Sequence, residues 1–117
     1  MSTVSIRKTH GEDYASIKTV VDQVIADLGG LEDIIKPGYK VIIKPNLVAC
    51  PTERLSGGVT RWEVCLAIYE AVKAVGGEPV IAESSAAGAD TELTIAKCGY
   101  QELRDKGIPV IDLKQKE

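Results

Sequence analysis

The chain alternates short apolar runs with longer stretches in which apolar residues recur every three or four positions. This alternation predicts strands separated by helices. The helices are expected at residues 13–28, 60–75, 91–97 and 100–106. Each is followed closely by a glycine, which commonly ends a helix. The helix at 60–75 begins with a capping-box pattern, which predicts Thr60 as the N-cap residue and Glu63 reaching back to it.

Strands are expected at residues 3–7, 40–44, 79–82 and 109–113. The first alternates polar with apolar residues and is expected near a sheet edge. Val41, Ile42 and Ile43 form the unbroken apolar run that is typical of a parallel strand covered on both faces. Strands joined through helices form right-handed crossovers, which give a mainly parallel sheet with helices on both faces.

The sequence therefore predicts one α/β domain over residues 1–117, a three-layer αβα sandwich around a mainly parallel four-stranded sheet. The arrangement is Rossmann-like or flavodoxin-like, but the chain has neither a G-x-G-x-x-G dinucleotide fingerprint nor a P-loop. Because the chain ends just after a strand, we interpret it as a unit that expects more sheet. The missing sheet would come from further sequence or from another copy of the chain, as in a homo-oligomer.

Composition narrows the classes of function. Lys and Arg number 14 and Asp and Glu 17, so the net charge of −3 favours neither a nucleic acid nor an anionic membrane as partner. No apolar run approaches the roughly 18 residues of a membrane span, and there is no signal peptide, so a cytoplasmic location is expected. The cysteines, Cys50, Cys65 and Cys98, are widely spaced, which predicts no zinc or iron–sulfur site within this chain. Cys65 and Cys98 fall on helical patterns and are expected to be buried.

The most specific local feature is the step from Lys44 through Pro45 to Asn46, directly after an apolar strand. Proline cannot donate to a ladder and pushes the preceding residue into extended geometry, so the strand should end near Pro45. If the chain stays extended, Lys44 and Asn46 project to the same side. An ammonium and an amide then lie at the carboxyl end of a strand, where open α/β sheets bind ligands. The alternative is a solvated lysine and a turn asparagine.

Further polar residues should gather at the same edge of the sheet. Glu83, Ser84 and Ser85 follow the next strand, and the helix that begins at Thr60 points its N-terminus to this edge. Helix N-termini favour anions, and a local excess of cations, including Arg61, favours a small anionic ligand. The candidate site is Lys44, Asn46, Thr60, Arg61, Glu83, Ser84 and Ser85. The alternative is that Arg61 is simply exposed and that Glu83 forms a salt bridge with the lysine of the neighbouring strand.

These motifs resemble the signature of a bacterial and archaeal family called domain of unknown function 362. The resemblance rests on the run from Val41 to Leu47, on the threonine that opens the next helix (Thr60), and on the segment from Gly76 to Ser85. That segment has a Gly-Gly step before an apolar strand that ends in acid-Ser-Ser. A threonine-led helix closed by Gly99 and the run from Val110 to Leu113 complete the likeness, which covers nearly the whole chain. The family domain is usually longer, so the resemblance implies that this chain is the N-terminal half of a longer domain.

Members of this family are often joined to ferredoxin-like segments that bind 4Fe–4S clusters, so the resemblance implies a redox setting. Any such cluster would belong to the full-length protein, because the cysteine motif for it is not in this chain. The expected function is binding of a small anionic ligand at the carboxyl edge of the sheet, in a cytoplasmic protein associated with iron–sulfur chemistry. The alternative is a non-catalytic scaffold or interaction domain that docks a ferredoxin-like partner.

Overall fold

The computed structural model describes residues 2–47, 58–85 and 88–114. In chain order these residues form α1 (Tyr14–Asp27), β1 (Lys40–Ile43), α2 (Trp62–Ala74), β2 (Glu78–Glu83), α3 (Thr91–Lys97), α4 (Gln101–Asp105) and β3 (Val110–Asp112). The strands are all parallel and lie in the order β1-β2-β3. The predicted α/β class and parallel sheet are therefore confirmed. None of the helices described is long and apolar enough to cross a membrane.

The core lies on one face of this sheet. Alternation along the strands places Ile43, Ile81 and Val110 on the same face, where they pack with buried residues of α2, α3 and α4. Leu47, which follows β1, and Tyr100, which lies between α3 and α4, are completely buried in this core. The carboxyl ends of the strands are therefore held firmly against the helices.

The predicted first strand, residues 3–7, is not part of the sheet, so the described sheet has three strands and not four. The segment is tied to α1, because the Arg7 guanidinium donates to both oxygens of Asp27, at 2.8 and 2.7 Å. This pairing lowers the pKa of Asp27 to about 2. Val4 and Ile6 alternate with Ser5 and Arg7, whose side chains both donate to Asp27. Val4 and Ile6 are exposed. The alternation of polar and apolar residues in this segment therefore arises because one side of the segment is bound to α1 and the other side faces solvent.

On the other face of the sheet, apolar side chains are exposed. Ile42 is 66% exposed beside half-buried Val80, and Ile111 is 36% exposed beside the small, buried Ala82. A parallel sheet normally has both faces covered. The described residues therefore form two layers, with helices on one face of the sheet, and the expected third layer is not among them.

The start of α2 differs from the predicted capping box. Its N-cap residue is Arg61, which makes no side-chain cap hydrogen bond, and the helix begins at Trp62. The Thr60 hydroxyl does not cap the helix, because it accepts a hydrogen bond from the Asn46 backbone N–H at 3.0 Å. Glu63 accepts from the Arg61 guanidinium at 2.9 Å. Tertiary contacts thus override the local capping pattern.

The predicted glycine stop after α2 is confirmed. Gly76 has a φ of +89°, a conformation that glycine adopts at little cost. At Gly77 an added Cβ would lie 2.7 Å from Val72 Cγ1, so the chain passes too close to the helix for a side chain. These two residues turn the chain from α2 into β2 and so set where Glu83 emerges at the carboxyl edge.

Candidate functional site

Glu83 ends the central strand β2, and its carboxylate is buried at the carboxyl edge, with only 3% of the side chain exposed. Among the described residues, three groups donate to it: the Leu47 N–H at 2.8 Å, the Ser84 N–H at 2.8 Å and the Lys44 ammonium at 2.9 Å. Burial alone would raise the pKa of this carboxyl, but the hydrogen bonds outweigh it and hold the pKa of Glu83 below its ordinary value. Glu83 is therefore ionised at neutral pH.

Lys44 follows β1 and pairs with Glu83, yet 63% of its side chain is exposed. The salt bridge between neighbouring strands, which the sequence offered as the alternative to a ligand site, is therefore present. It does not bury the ammonium. The predicted proximity of Lys44, Glu83 and Ser84 is confirmed, because all three meet at one carboxylate.

Asn46 and Thr60 also meet, mainly through backbone groups. The Asn46 N–H donates to Thr60 Oγ1 at 3.0 Å, and the Thr60 N–H donates back to the Asn46 carbonyl at 2.9 Å. The Asn46 side-chain amide donates to the Gly58 carbonyl at 3.4 Å. These bonds join the chain on either side of residues 48–57. Thr60 therefore positions the Lys-Pro-Asn step and acts on the site through it.

The two serines after β2 have different environments. Ser84 is exposed, and only its backbone N–H is engaged by the Glu83 carboxylate. Ser85 is buried, with its hydroxyl 2.7 Å from the Thr91 hydroxyl and its N–H donating to the same oxygen at 3.2 Å. Ser85 thus fixes the end of β2 to the start of α3, which leaves Ser84 as the serine that faces solvent.

Arg61 is directed toward α1. Its guanidinium donates to the Glu12 carbonyl at 3.0 Å and to Glu63 Oε2 at 2.9 Å, and it lies 3.6 Å from the Glu12 carboxylate. Only 23% of its side chain is exposed. Arg61 is therefore not simply exposed, as one interpretation of the sequence had it. Arg61 therefore joins the start of α2, through Glu63, to the segment before α1, through Glu12.

Two residues outside the candidate set also lie at this edge. Asp112 ends β3 in register with Glu83 and is buried; its Oδ1 accepts from the Lys114 N–H at 2.9 Å, whereas Oδ2 has no hydrogen-bond partner among the described residues. The Lys114 ammonium donates to the Ala89 carbonyl at 2.7 Å and to Ser85 Oγ at 3.4 Å. The sequence indicated Asp112, because this residue ends a predicted strand. It did not indicate Lys114, which lies in a polar segment after that strand and whose side chain reaches back to the edge.

The family model described as Domain of unknown function (DUF362) matches residues 41–117, which include Lys44, Asn46 and Glu83. The chain belongs to this family. The resemblance noted in the sequence is therefore confirmed, and the DUF362 match includes the whole candidate site. It does not extend to α1, which lies before residue 41.

Among curated proteins, this DUF362 chain is similar to the thylakoid-associated protein sll1697 of Synechocystis sp. (strain ATCC 27184 / PCC 6803 / Kazusa). The two are 27% identical over 116 residues, which is 97% of this chain and 35% of the relative. The chain thus spans about a third of the length of that protein. No solved structure matches the chain.

The described residues of this DUF362 chain do not fit a 4Fe–4S cluster, which needs four cysteine thiolates in its usual form. Cys65 and Cys98 are buried, as predicted, and Cys65 Sγ lies 3.4 Å from the Tyr100 hydroxyl in the core. Burial raises the pKa of the Cys65 thiol, which disfavours the thiolate. Cys50 lies outside the described residues. Within the described ranges, no group of three or more His, Cys, Asp or Glu side chains is placed to hold a metal ion.

Proposed function

We propose that this DUF362 domain binds a small anionic ligand, through a phosphate or carboxylate group, at the carboxyl edge of its sheet. The observation that carries the proposal is the Lys44 ammonium, whose side chain is 63% exposed although Glu83 holds it at 2.9 Å. An ammonium has three N–H donors, so the pairing with Glu83 leaves others for a ligand. A cation that is already held in place also loses little entropy on binding.

Neighbouring polar groups support the same ligand chemistry. Asn46 and Ser84 follow the ends of β1 and β2, and both are exposed. The amide and the hydroxyl each offer a donor to the oxygens of an anion. Thr60 and Ser85 keep the edge in shape, because their hydroxyl groups are hydrogen-bonded within the protein. Arg61 is engaged by Glu12 and Glu63.

The test is a titration with inorganic phosphate and with acetate, followed through the NMR shifts of the backbone amides. Lys44→Ala should weaken binding by about tenfold or more, the loss expected for one charge-assisted contact of about 1.5–3 kcal/mol. Lys40→Ala, at the opposite end of β1, is the matched control and should bind as the wild type does. Equal affinities of wild type and Lys44→Ala would refute the proposal.

We place this site in a longer cytoplasmic protein associated with iron–sulfur and redox chemistry. The Synechocystis relative, of which the chain covers 35%, supports a longer protein. The iron–sulfur setting is what membership of the DUF362 family implies. The cluster would be held by a ferredoxin-like domain outside these residues. A fourth strand and a third layer would complete the Rossmann-like arrangement in the same longer protein.

A second candidate function is that of a scaffold that docks the ferredoxin-like domain. The observation that favours it is the open face of the sheet, where Ile42 is 66% exposed beside half-buried Val80. The three strands are three to six residues long and lie about 4.8 Å apart. They give a patch of roughly 14 by 10–20 Å, far below the ~800 Å² per partner of a stable dimer. The patch therefore suits one covering element better than a second copy of the chain.

Docking can be tested by introducing a charge on the open face. Ile42→Asp should leave the melting temperature of the 117-residue chain nearly unchanged, because the side chain is exposed there. In the polypeptide as its gene encodes it, the same change should lower the melting temperature clearly. Ile34→Asp, at an exposed position outside the sheet, is the control. Equal effects of the two substitutions in both proteins would exclude docking on this face.

A further inference from the structure

A groove of about 420 Å³ lies on the helical side of the domain, with its lining drawn from three parts of the chain. Trp62, Leu66, Tyr69 and Lys73 fall on one stripe of α2, and buried Leu66 forms the floor. Tyr14, at the start of α1, borders one side. We call this surface the aromatic groove. Its volume falls within the range of about 300–1,000 Å³ that is usual for small-molecule sites.

The groove holds three of the five aromatic residues of the chain. The whole chain has one Trp, four Tyr and no Phe, and Tyr14, Trp62 and Tyr69 all line the groove. Tyr14 and Trp62 are stacked, with ring centroids 6.5 Å apart and planes inclined by 14°. Both rings and Tyr69 are only half-buried, so part of their surface remains open to a ligand. Such surfaces favour stacking of a further flat ring.

The charges around the groove favour an anion. Lys73 and Lys106 line it, and both are exposed. The Lys73 ammonium lies 5.8 Å from the centre of the Tyr69 ring, so it is held over an aromatic wall. Glu70, the one acid among the described lining residues, accepts a hydrogen bond from the Tyr14 hydroxyl. Two cations against one anion leave an excess of one positive charge.

We propose that the aromatic groove binds a planar aromatic ring that carries a single carboxylate. The ring would stack against Trp62 and Tyr69, and the carboxylate would pair with Lys73 or Lys106. This site is distinct from the carboxyl edge, because it shares no residue with the Lys44–Glu83 pair.

Calorimetric titration with three matched probes tests both parts of the proposal. 2-Naphthoate should bind, whereas 2-naphthamide lacks the charge and should bind about tenfold more weakly, the loss of one charge-assisted contact. Decahydro-2-naphthoate keeps the charge but has no flat ring, and it should also bind more weakly. Because Trp62 is the single tryptophan of the chain, its fluorescence reports directly whether the probe reaches the groove.

Variants locate the binding. The double variant Lys73→Gln/Lys106→Gln should abolish the preference for naphthoate over naphthamide, and its exposed positions should leave folding intact. Lys40→Gln/Lys97→Gln, also at exposed positions, is the matched control and should keep the preference. Absence of naphthoate binding at millimolar concentration, equal binding of acid and amide, or an unchanged preference in the Lys73→Gln/Lys106→Gln variant would each overturn the proposal.

Discussion

Lys44 and Glu83 form an ion pair, 2.9 Å between Nζ and Oε1, whose two members lie in opposite environments: the lysine side chain is 63% exposed and the glutamate side chain 3%. The glutamate does not depend on this partner alone, because two backbone N–H groups also donate to its carboxylate. Lys44 is therefore better placed to bind a ligand than to stabilise the fold. Glu83 is better placed to stabilise the fold than to bind a ligand.

Replacing Lys44 should have a modest effect on stability. Lys44→Ala should lower the free energy of unfolding by about 1 kcal/mol, more than a typical surface change but well below the 3–5 kcal/mol of a fully buried pair. The reason is that the ammonium is largely solvated and Glu83 keeps its two backbone donors. Urea unfolding of Lys44→Ala, compared with that of the Lys40→Ala control, measures this change in the free energy of unfolding. A loss above about 3 kcal/mol would mean that Lys44 is mainly structural.

Replacing Glu83 should cost more stability and change its dependence on pH. The pKa of Glu83 is held below its ordinary value, so the carboxylate stabilises the fold above the unfolded pKa of about 4.3, and this contribution is lost as pH falls through the lower folded pKa. Glu83→Gln should lower the free energy of unfolding at neutral pH by about 1–3 kcal/mol and flatten the acid limb of the stability curve.

Glu78→Gln is the control for this experiment, since Glu78 begins the same strand and is exposed. It should leave both the stability and the acid limb close to those of the wild type. If Glu83→Gln and Glu78→Gln gave the same acid limb, Glu83 would not be the group that couples folding to pH in this range.

The hydrogen bond between Thr60 and Asn46 predicts that the Thr60 side chain slows hydrogen exchange at the Asn46 backbone amide. Thr60→Val removes the hydroxyl that accepts from the Asn46 N–H, so it should lower stability by about 1 kcal/mol and speed hydrogen exchange at that amide. Thr60→Ser keeps the hydroxyl and should restore slow exchange. If Thr60 acted as a helix cap instead, Thr60→Val would speed exchange in the first turn of α2 and spare Asn46.

The Tyr100 hydroxyl predicts a larger loss, because it is fully buried and donates to the Thr60 carbonyl at 2.6 Å. Tyr100→Phe should lower the free energy of unfolding by about 1–3 kcal/mol, since the Thr60 carbonyl loses its partner at a part-buried site. Burial raises the pKa of the Tyr100 phenol, so the wild type should also lose stability as pH rises above about 10, where the unfolded phenol ionises.

Tyr39→Phe, at an exposed tyrosine, is the matched change and should cost less than about 0.5 kcal/mol. Thermal melts at neutral and alkaline pH compare the three proteins. A Tyr100→Phe variant as stable as Tyr39→Phe, with the alkaline loss unchanged, would show that the buried hydroxyl contributes nothing.

Hydrophobic spacing and glycine placement were sufficient to predict α2, β2 and the turn at Gly76, because these depend on the period of the pattern and on local conformation. The same reasoning failed at residues 3–7. Alternation there indicated a strand, but a strand needs a partner edge, and the Arg7–Asp27 contact holds the segment to a helix.

The sequence by itself determined which strand ends carry polar residues, and so that Lys44, Glu83 and Ser84 would meet at one edge of a parallel sheet. Only the tertiary structure decided their roles: Thr60 binds the Asn46 backbone, Arg61 turns to Glu12, and Glu83 is enclosed by donors. The physical reason is the separation along the chain over which each effect acts. Periodicity and caps act within a few residues, whereas burial and the choice of hydrogen-bond partner depend on segments that the fold brings together from distant parts of the chain.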